Sequence, residues 1–170
     1  MKLQKMFLSA LALCLLLAAN ALADTTVTIS GVHLCCGKCS KAAHSAVDKI
    51  ADAEAEVNNK AGTITIKAAN DARAQKALNA LSSAGFYGNS DSNKIKIAKN
   101  TAQGTSQRTE FTGFHNCCGK CAKAIEKAAN SVEGVAGIAL KKKDLVVEGD
   151  FKVAAIIRAL NKAGLQAKVK

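Results

Sequence analysis

The sequence predicts an α+β protein made of two tandem sandwiches, each with the element order βαββαβ. Three observations predict it. The chain repeats itself: "HLCCGKC" (His33 to Cys39) returns as "HNCCGKC" (His115 to Cys121) at an offset of 82 residues, and "ALNALSSAGF" (Ala77 to Phe86) returns as "IIRALNKAGL" (Ile156 to Leu165). Within each copy the apolar period alternates between the two residues of a strand and the 3.6 of a helix. Finally, each copy is shorter than about 80 residues, a size that folds alone with one modest core.

The elements follow in order. "TTVTIS" puts Val27 and Ile29 on one face of a first strand. After the cysteines, Ala43, Ala46, Val47 and Ile50 recur at helical spacing, and Ile125, Ala128, Ala129 and Val132 repeat the stripe. Paired strands come next: "AEAEV" with "TITIK" around "NNKAG", then "GIAL" with "LVVEG" around "KKKD". A second helix shows Ala74, Ala77, Leu78 and Leu81, matched by Val153, Ile156, Ile157 and Leu160. Asn70 and Asp150 stand where N-caps belong, and Gly85 and Gly164 where C-terminal glycines belong. The last strands are read as "KIKIA" after the polar insert "GNSDSN", and "LQAKVK". This order is that of a ferredoxin-like sandwich. The domain reading is therefore a leader at 1–23, a first module at 24–98, a flexible polar linker at 99–107 and a second module at 108–170.

The leader reading rests on Lys2 and Lys5, an apolar run from Phe7 to Ala19, and Ala21-Leu22-Ala23 before Asp24. This is the pattern of a cleaved signal peptide. It implies an exported product, periplasmic or secreted, with no stable membrane insertion after cleavage. Of 24 basic residues two lie in the leader, and 13 acidic residues oppose the rest. A basic chain raises the question of nucleic acid. Export argues against it, and so does the lack of stacking platforms, with one tyrosine and no tryptophan. The lysines read as solvated faces.

Of seven cysteines, Cys14 lies in the leader and the others fill the two repeated stretches. A stapling framework spreads its cysteines to close long loops; bridges inside either stretch would close almost nothing. In the predicted topology both clusters lie where a first strand turns into a first helix. The free N–H groups and dipole of that helix start stabilise thiolate, and Lys38 adds positive charge. Cys36 with Cys39, and Cys118 with Cys121, form C-x-x-C pairs able to converge on one soft ion. His33 and Cys35 share a face of an extended chain, and a turn at Cys36 is needed to gather all four groups. Two coordinations stay open. A Cys3His set suits tetrahedral Zn(II), and two or three thiolates suit Cu(I) or Hg(II) with the histidine nearby. The same reading applies to His115, Cys117, Cys118 and Cys121. His44 aligns with Glu126 and reads as a solvated helix residue.

These residues carry a resemblance. Each half, Thr25 to about Ala98 and Arg108 to Lys170, is similar to the heavy-metal-associated domain of copper chaperones, metal-pumping ATPase tails and periplasmic mercury-binding proteins. The resemblance implies one soft ion per C-x-x-C pair, passed on by thiolate exchange. Implied partners are a metal-transporting membrane protein or another metallochaperone, and no enzymatic activity is expected. The pattern also departs from the family. The methionine usual two residues before the first cysteine is Leu34 or Asn116, and the lysine or tyrosine usual after the second helix is Phe86 or Leu165. Cys35, Cys117, His33 and His115 are additions.

Two other classes compete. A thiol–disulfide oxidoreductase would use "CGKC", but thioredoxin-like sites set a cis-proline beside the dithiol and this chain has no proline. An interaction module would use only the basic faces. One asymmetry is also expected. The second module should present Lys141, Lys142 and Lys143 beside its thiols, where the first has Asn58, Asn59 and Lys60 and covers that end with the loop Gly88 to Asn93. The thiols of the second site should then titrate at lower pH.

Overall fold

The computed structural model describes residues 24–100 and 102–170, so the leader reading lies outside the described residues. The first module contains β1 (Thr25–Ser30), α1 (Gly37–Val47), β2 (Ala53–Asn58), β3 (Thr63–Ala68), α2 (Asp71–Ser83) and β4 (Asn89–Ser90). The second contains β5 (Thr105–Thr112), α3 (Gly119–Asn130), β6 (Val135–Lys141), β7 (Asp144–Lys152), α4 (Val153–Lys162) and β8 (Lys168–Val169). Each module has one four-stranded antiparallel sheet, ordered β2-β3-β1-β4 and β6-β7-β5-β8. The architecture is the βαββαβ sandwich that the periodicities imply, made twice.

The alternating residues make the core. Val27, Ile29, Ile64 and Ile66 face inward from β1 and β3, against Ala43, Val47, Ala74, Leu78 and Leu81 from the helices. Phe111, Leu145 and Val147 meet Ile125, Ala129, Ile156 and Leu160 in the second module. Asn70 caps α2 as expected, its side chain accepting from the Arg73 N–H at 3.0 Å. No helix among the described residues is long and apolar enough to cross a membrane.

Three details differ from the sequence reading. The closing strand of the first module is Asn89–Ser90, which pairs with Ser30 and Ile29, and not "KIKIA". Ile95 and Ile97 are buried all the same: Gln75 on α2 holds the Lys96 backbone through both its amide nitrogen and its amide oxygen, and the two isoleucines drop into the core without a strand partner. Asp150 is not a cap, because β7 continues to Lys152 and α4 starts at Val153. β5 begins at Thr105, inside the segment read as linker, because Thr105 pairs with Lys152; Asn100 also donates to the Ala167 carbonyl at 3.2 Å.

The modules meet end to end through backbone groups. The carbonyl of Gly164 accepts the N–H groups of His33 and Tyr87, both at 3.2 Å. The carbonyl of Gly85 accepts those of His115 and Gln166, both at 3.0 Å. Phe86 and Leu165 form an antiparallel bridge between the modules. Gly85 and Gly164 hold φ of +95° and +79°, which ends their helices in the left-handed turn that glycine adopts without penalty. Neither position has room for a Cβ: one at Gly85 would collide with the backbone of Phe114 and His115, one at Gly164 with that of Val32 and His33.

Candidate metal centre

Each cysteine stretch is placed by the strand that precedes it and the helix that follows. After β1 the chain turns at Gly31, and Val32 N–H donates to the Gly62 carbonyl at 2.9 Å, fixing the loop to the β2–β3 hairpin. Val32 and Leu34 point into the core, so His33 and Cys35 point to the other side. Cys36 is the extended N-cap of α1, and Cys39 lies in its first turn, fully buried. The second module repeats this with Cys118 as N-cap of α3 and Cys121 buried. Phe114 takes the place of Val32. Asn116, in the place of Leu34, leaves the core side and donates to the Lys142 carbonyl at 2.6 Å.

The docking of the modules brings both stretches together. Cys35, Cys36, Cys39, Cys117, Cys118 and Cys121 form one cluster of free thiols. Sulfur separations run from 3.5 to 3.9 Å. A disulfide would bring two sulfurs to about 2.05 Å. Around a metal with bonds of about 2.3 Å, thiolate sulfurs stand about 3.8 Å apart in a tetrahedron and about 4.0 Å in a trigonal plane. The observed spacing excludes a disulfide and overlaps the edge lengths of such polyhedra.

His33 and His115 flank the cluster. Both Nε2 atoms are buried with no hydrogen-bond partner. Donor atoms of Cys39, His115, Cys117 and Cys121 lie within 4.8 Å of one another, as do those of His33, Cys35 and Cys121, and of Cys35, Cys36 and Cys118. The His115 ring stacks on Phe86 of the other module, with centroids 4.6 Å apart and planes at 23°. Burial lowers the pKa of both imidazoles, and the charge of Lys143 lowers that of His115 further. A neutral imidazole keeps one nitrogen as a lone-pair donor, and an orphaned buried Nε2 beside thiols fits a metal ligand. All eight residues singled out by the sequence therefore lie at one centre, whereas the sequence reading had two separate sets. His44 is exposed on α1, away from it.

The thiols differ electrostatically. The N–H groups of Cys121 and Lys120 at the start of α3 pull the Cys118 thiol down to about 6. Cys36 is lowered in the same way by the N–H of Cys39. Burial, and then donation to neighbouring sulfurs, pushes Cys35 and Cys117 well up. The lysines expected to lower the thiols of the second site are not among the groups that act on Cys118; the backbone N–H groups of the helix start are. The β6–β7 hairpin does reach the site, yet the lysine charge that acts there acts on His115. Of the loop Gly88 to Asn93 only Gly88 lies at this end, against Val32; β4 then runs back beside β1, and the Asp91 N–H donates to the Thr28 carbonyl.

In the reduced, metal-free protein, Cys118 should therefore be the first cysteine alkylated by iodoacetamide. Its rate should rise through pH 6 and level off near neutrality, because only the thiolate reacts. Cys35 and Cys117 should react last. Peptide mass spectrometry after timed pulses reads the order; a Cys118 midpoint near the ordinary thiol value of about 8.5 would contradict it.

The sequence reading passed over Gly85, Phe86, Gly164 and Leu165 as parts of the site. A signal was present: two apolar residues, in register, where an exposed metal loop usually has a lysine or tyrosine beside it.

Residues 117–165 match the model of the heavy-metal-associated domain. No curated protein matches the chain. Among solved structures, the water-soluble region of the P-type ATPase CopA from Bacillus subtilis is similar at 19% identity and a TM-score of 0.34, over 86% of this chain and 91% of that one.

Proposed function

We propose that the chain is an exported carrier or buffer of soft metal ions, Cu(I) before Zn(II) or Hg(II), with each C-x-x-C pair anchoring one ion. Cys35, Cys117, His33 and His115 supply further donors. The observation that carries this reading is the convergence of free thiols at metal-polyhedron spacing beside two unpartnered buried imidazole nitrogens. The heavy-metal-associated match, which begins at Cys117, supports it. The leader pattern in the sequence supports export. Delivery would be to a metal-transporting membrane protein or another metallochaperone, by exchange of thiolates at Cys36 and Cys118, the sulfurs at the helix starts. The basic faces need no nucleic-acid partner, and the role is binding, not catalysis.

Metal content after anaerobic purification tests the reading. Replacing Cys36 and Cys39 together with serine should remove about half of the bound metal, because the second pair and its neighbours remain. Unchanged content would exclude the pair as ligands, and total loss would exclude two anchored ions.

A further inference from the structure

The sulfurs are joined in a particular order. Cys35 lies 3.6 Å from Cys118 and 3.5 Å from Cys121, which are themselves 3.9 Å apart. Cys117 lies 3.8 Å from Cys36 and 3.7 Å from Cys39, which are 3.7 Å apart. These are two triangles. Three further separations link them edge to edge: Cys35 to Cys39 at 3.7 Å, Cys36 to Cys118 at 3.9 Å, and Cys117 to Cys121 at 3.8 Å. The figure is a trigonal prism. In each triangular face two sulfurs come from the C-x-x-C pair of one module and the third is the added cysteine of the other.

We infer that the added cysteines act in the opposite module: Cys117 completes a three-thiolate Cu(I) site with Cys36 and Cys39, and Cys35 completes one with Cys118 and Cys121. This rests on the soft-metal reading and specifies its ligands. The local chain explains the crossing. Cys35 is adjacent in sequence to Cys36, and alternation along an extended segment turns their side chains to opposite sides. Docking through Gly85 and Gly164 then sets each added cysteine over the other helix start. A three-sulfur face suits a soft monovalent ion, whereas a four-donor Zn(II) would take Cys39, His115, Cys117 and Cys121, a set that cuts across both faces. Each Cu(I) displaces the protons still held by its three thiols and keeps its oxidation state. Each bound ion also becomes a bond between the modules, so the loaded protein should hold its docked arrangement more firmly than the free one.

The test uses the chain from Asp24 onward, reduced under argon, with Cu(I) held in competition with a chromophoric chelator. In a Cys118→Ser/Cys121→Ser background one site remains, on Cys36 and Cys39. There, adding Cys117→Ser should weaken Cu(I) at least tenfold more than adding Cys35→Ser does. In the mirror background, Cys36→Ser/Cys39→Ser, the order should reverse. Circular dichroism of each variant checks folding, and the two backgrounds guard against one that misfolds. The opposite order in both would place the added cysteine with its own module and overturn the inference. Equal losses, large or small, would also overturn it, as one joint centre or two-coordinate ions, while leaving the C-x-x-C reading in place. Absence of Cu(I) binding in the unmodified chain would overturn both.

Discussion

Replacing Phe86 with alanine should destabilise the protein by about 3–5 kcal/mol, the cost of deleting a fully buried aromatic side chain. Phe86 is 1% exposed, belongs to the core of the first module, and stacks on His115 of the second. Its loss therefore opens a cavity in one core and takes the cover from an imidazole in the other module. Against a total stability of about 5–15 kcal/mol for a native protein, this is a large fraction. Urea unfolding monitored by circular dichroism gives the magnitude. The ring signals of His115 give the reach of the effect, and they should shift although the substitution lies in the other module. A loss below about 1.5 kcal/mol, the range of volume-conserving core swaps, would contradict the burial argument. Unmoved His115 signals would contradict the docking.

Gly85→Ala and Gly164→Ala should each separate the modules. Left-handed backbone costs an ordinary residue about 1–2 kcal/mol, and here the added methyl also collides with the backbone of the opposite module. Gly104 provides the comparison. It too has a positive φ, +94°, but no atom lies within 4 Å of where its Cβ would be. Gly104→Ala should show the backbone strain alone. Hydrogen exchange at the amides of His33, Tyr87, His115 and Gln166 reports the docking directly, since these donors cross between modules. Exchange at all four should rise at least tenfold in the Gly85 and Gly164 variants relative to Gly104→Ala. Equal exchange in the three would mean that the glycines serve only their helix ends.

Much of this molecule was legible in the sequence because each module is small and its faces alternate cleanly. Val27 and Ile29 declare a strand face, and Ala74, Ala77, Leu78 and Leu81 a helix face; all are buried where the periods place them. The misreadings lie where local pattern and tertiary pairing part. Ile95 and Ile97 alternate like a strand and are buried like one, but Asn89 and Ser90 already occupy the free edge of β1. Asp150 resembles a cap until β7 is seen to run past it. The candidate ligands were legible from repetition and residue type alone. Their sharing was not, because hydrophobic period describes faces within a module and says nothing about which end of one module meets the other. That information lies in two glycine carbonyls, groups that every residue carries and no motif records.

The meeting of Gly85 and Gly164 has a kinetic consequence. Each half of the interface presents the same groups as the other, so the chain closes on itself as two copies of one protein close about a two-fold axis. Here the copies are tethered through the segment ending at Gly104. A short tether sets the effective concentration of one half around the other on the order of millimolar. Once one C-x-x-C pair has captured an ion in a single encounter, re-docking of the halves and closure by the distant cysteine are unimolecular events. Their rate is independent of how dilute the protein is. Cutting the tether would restore a second-order step and make closure fall with dilution.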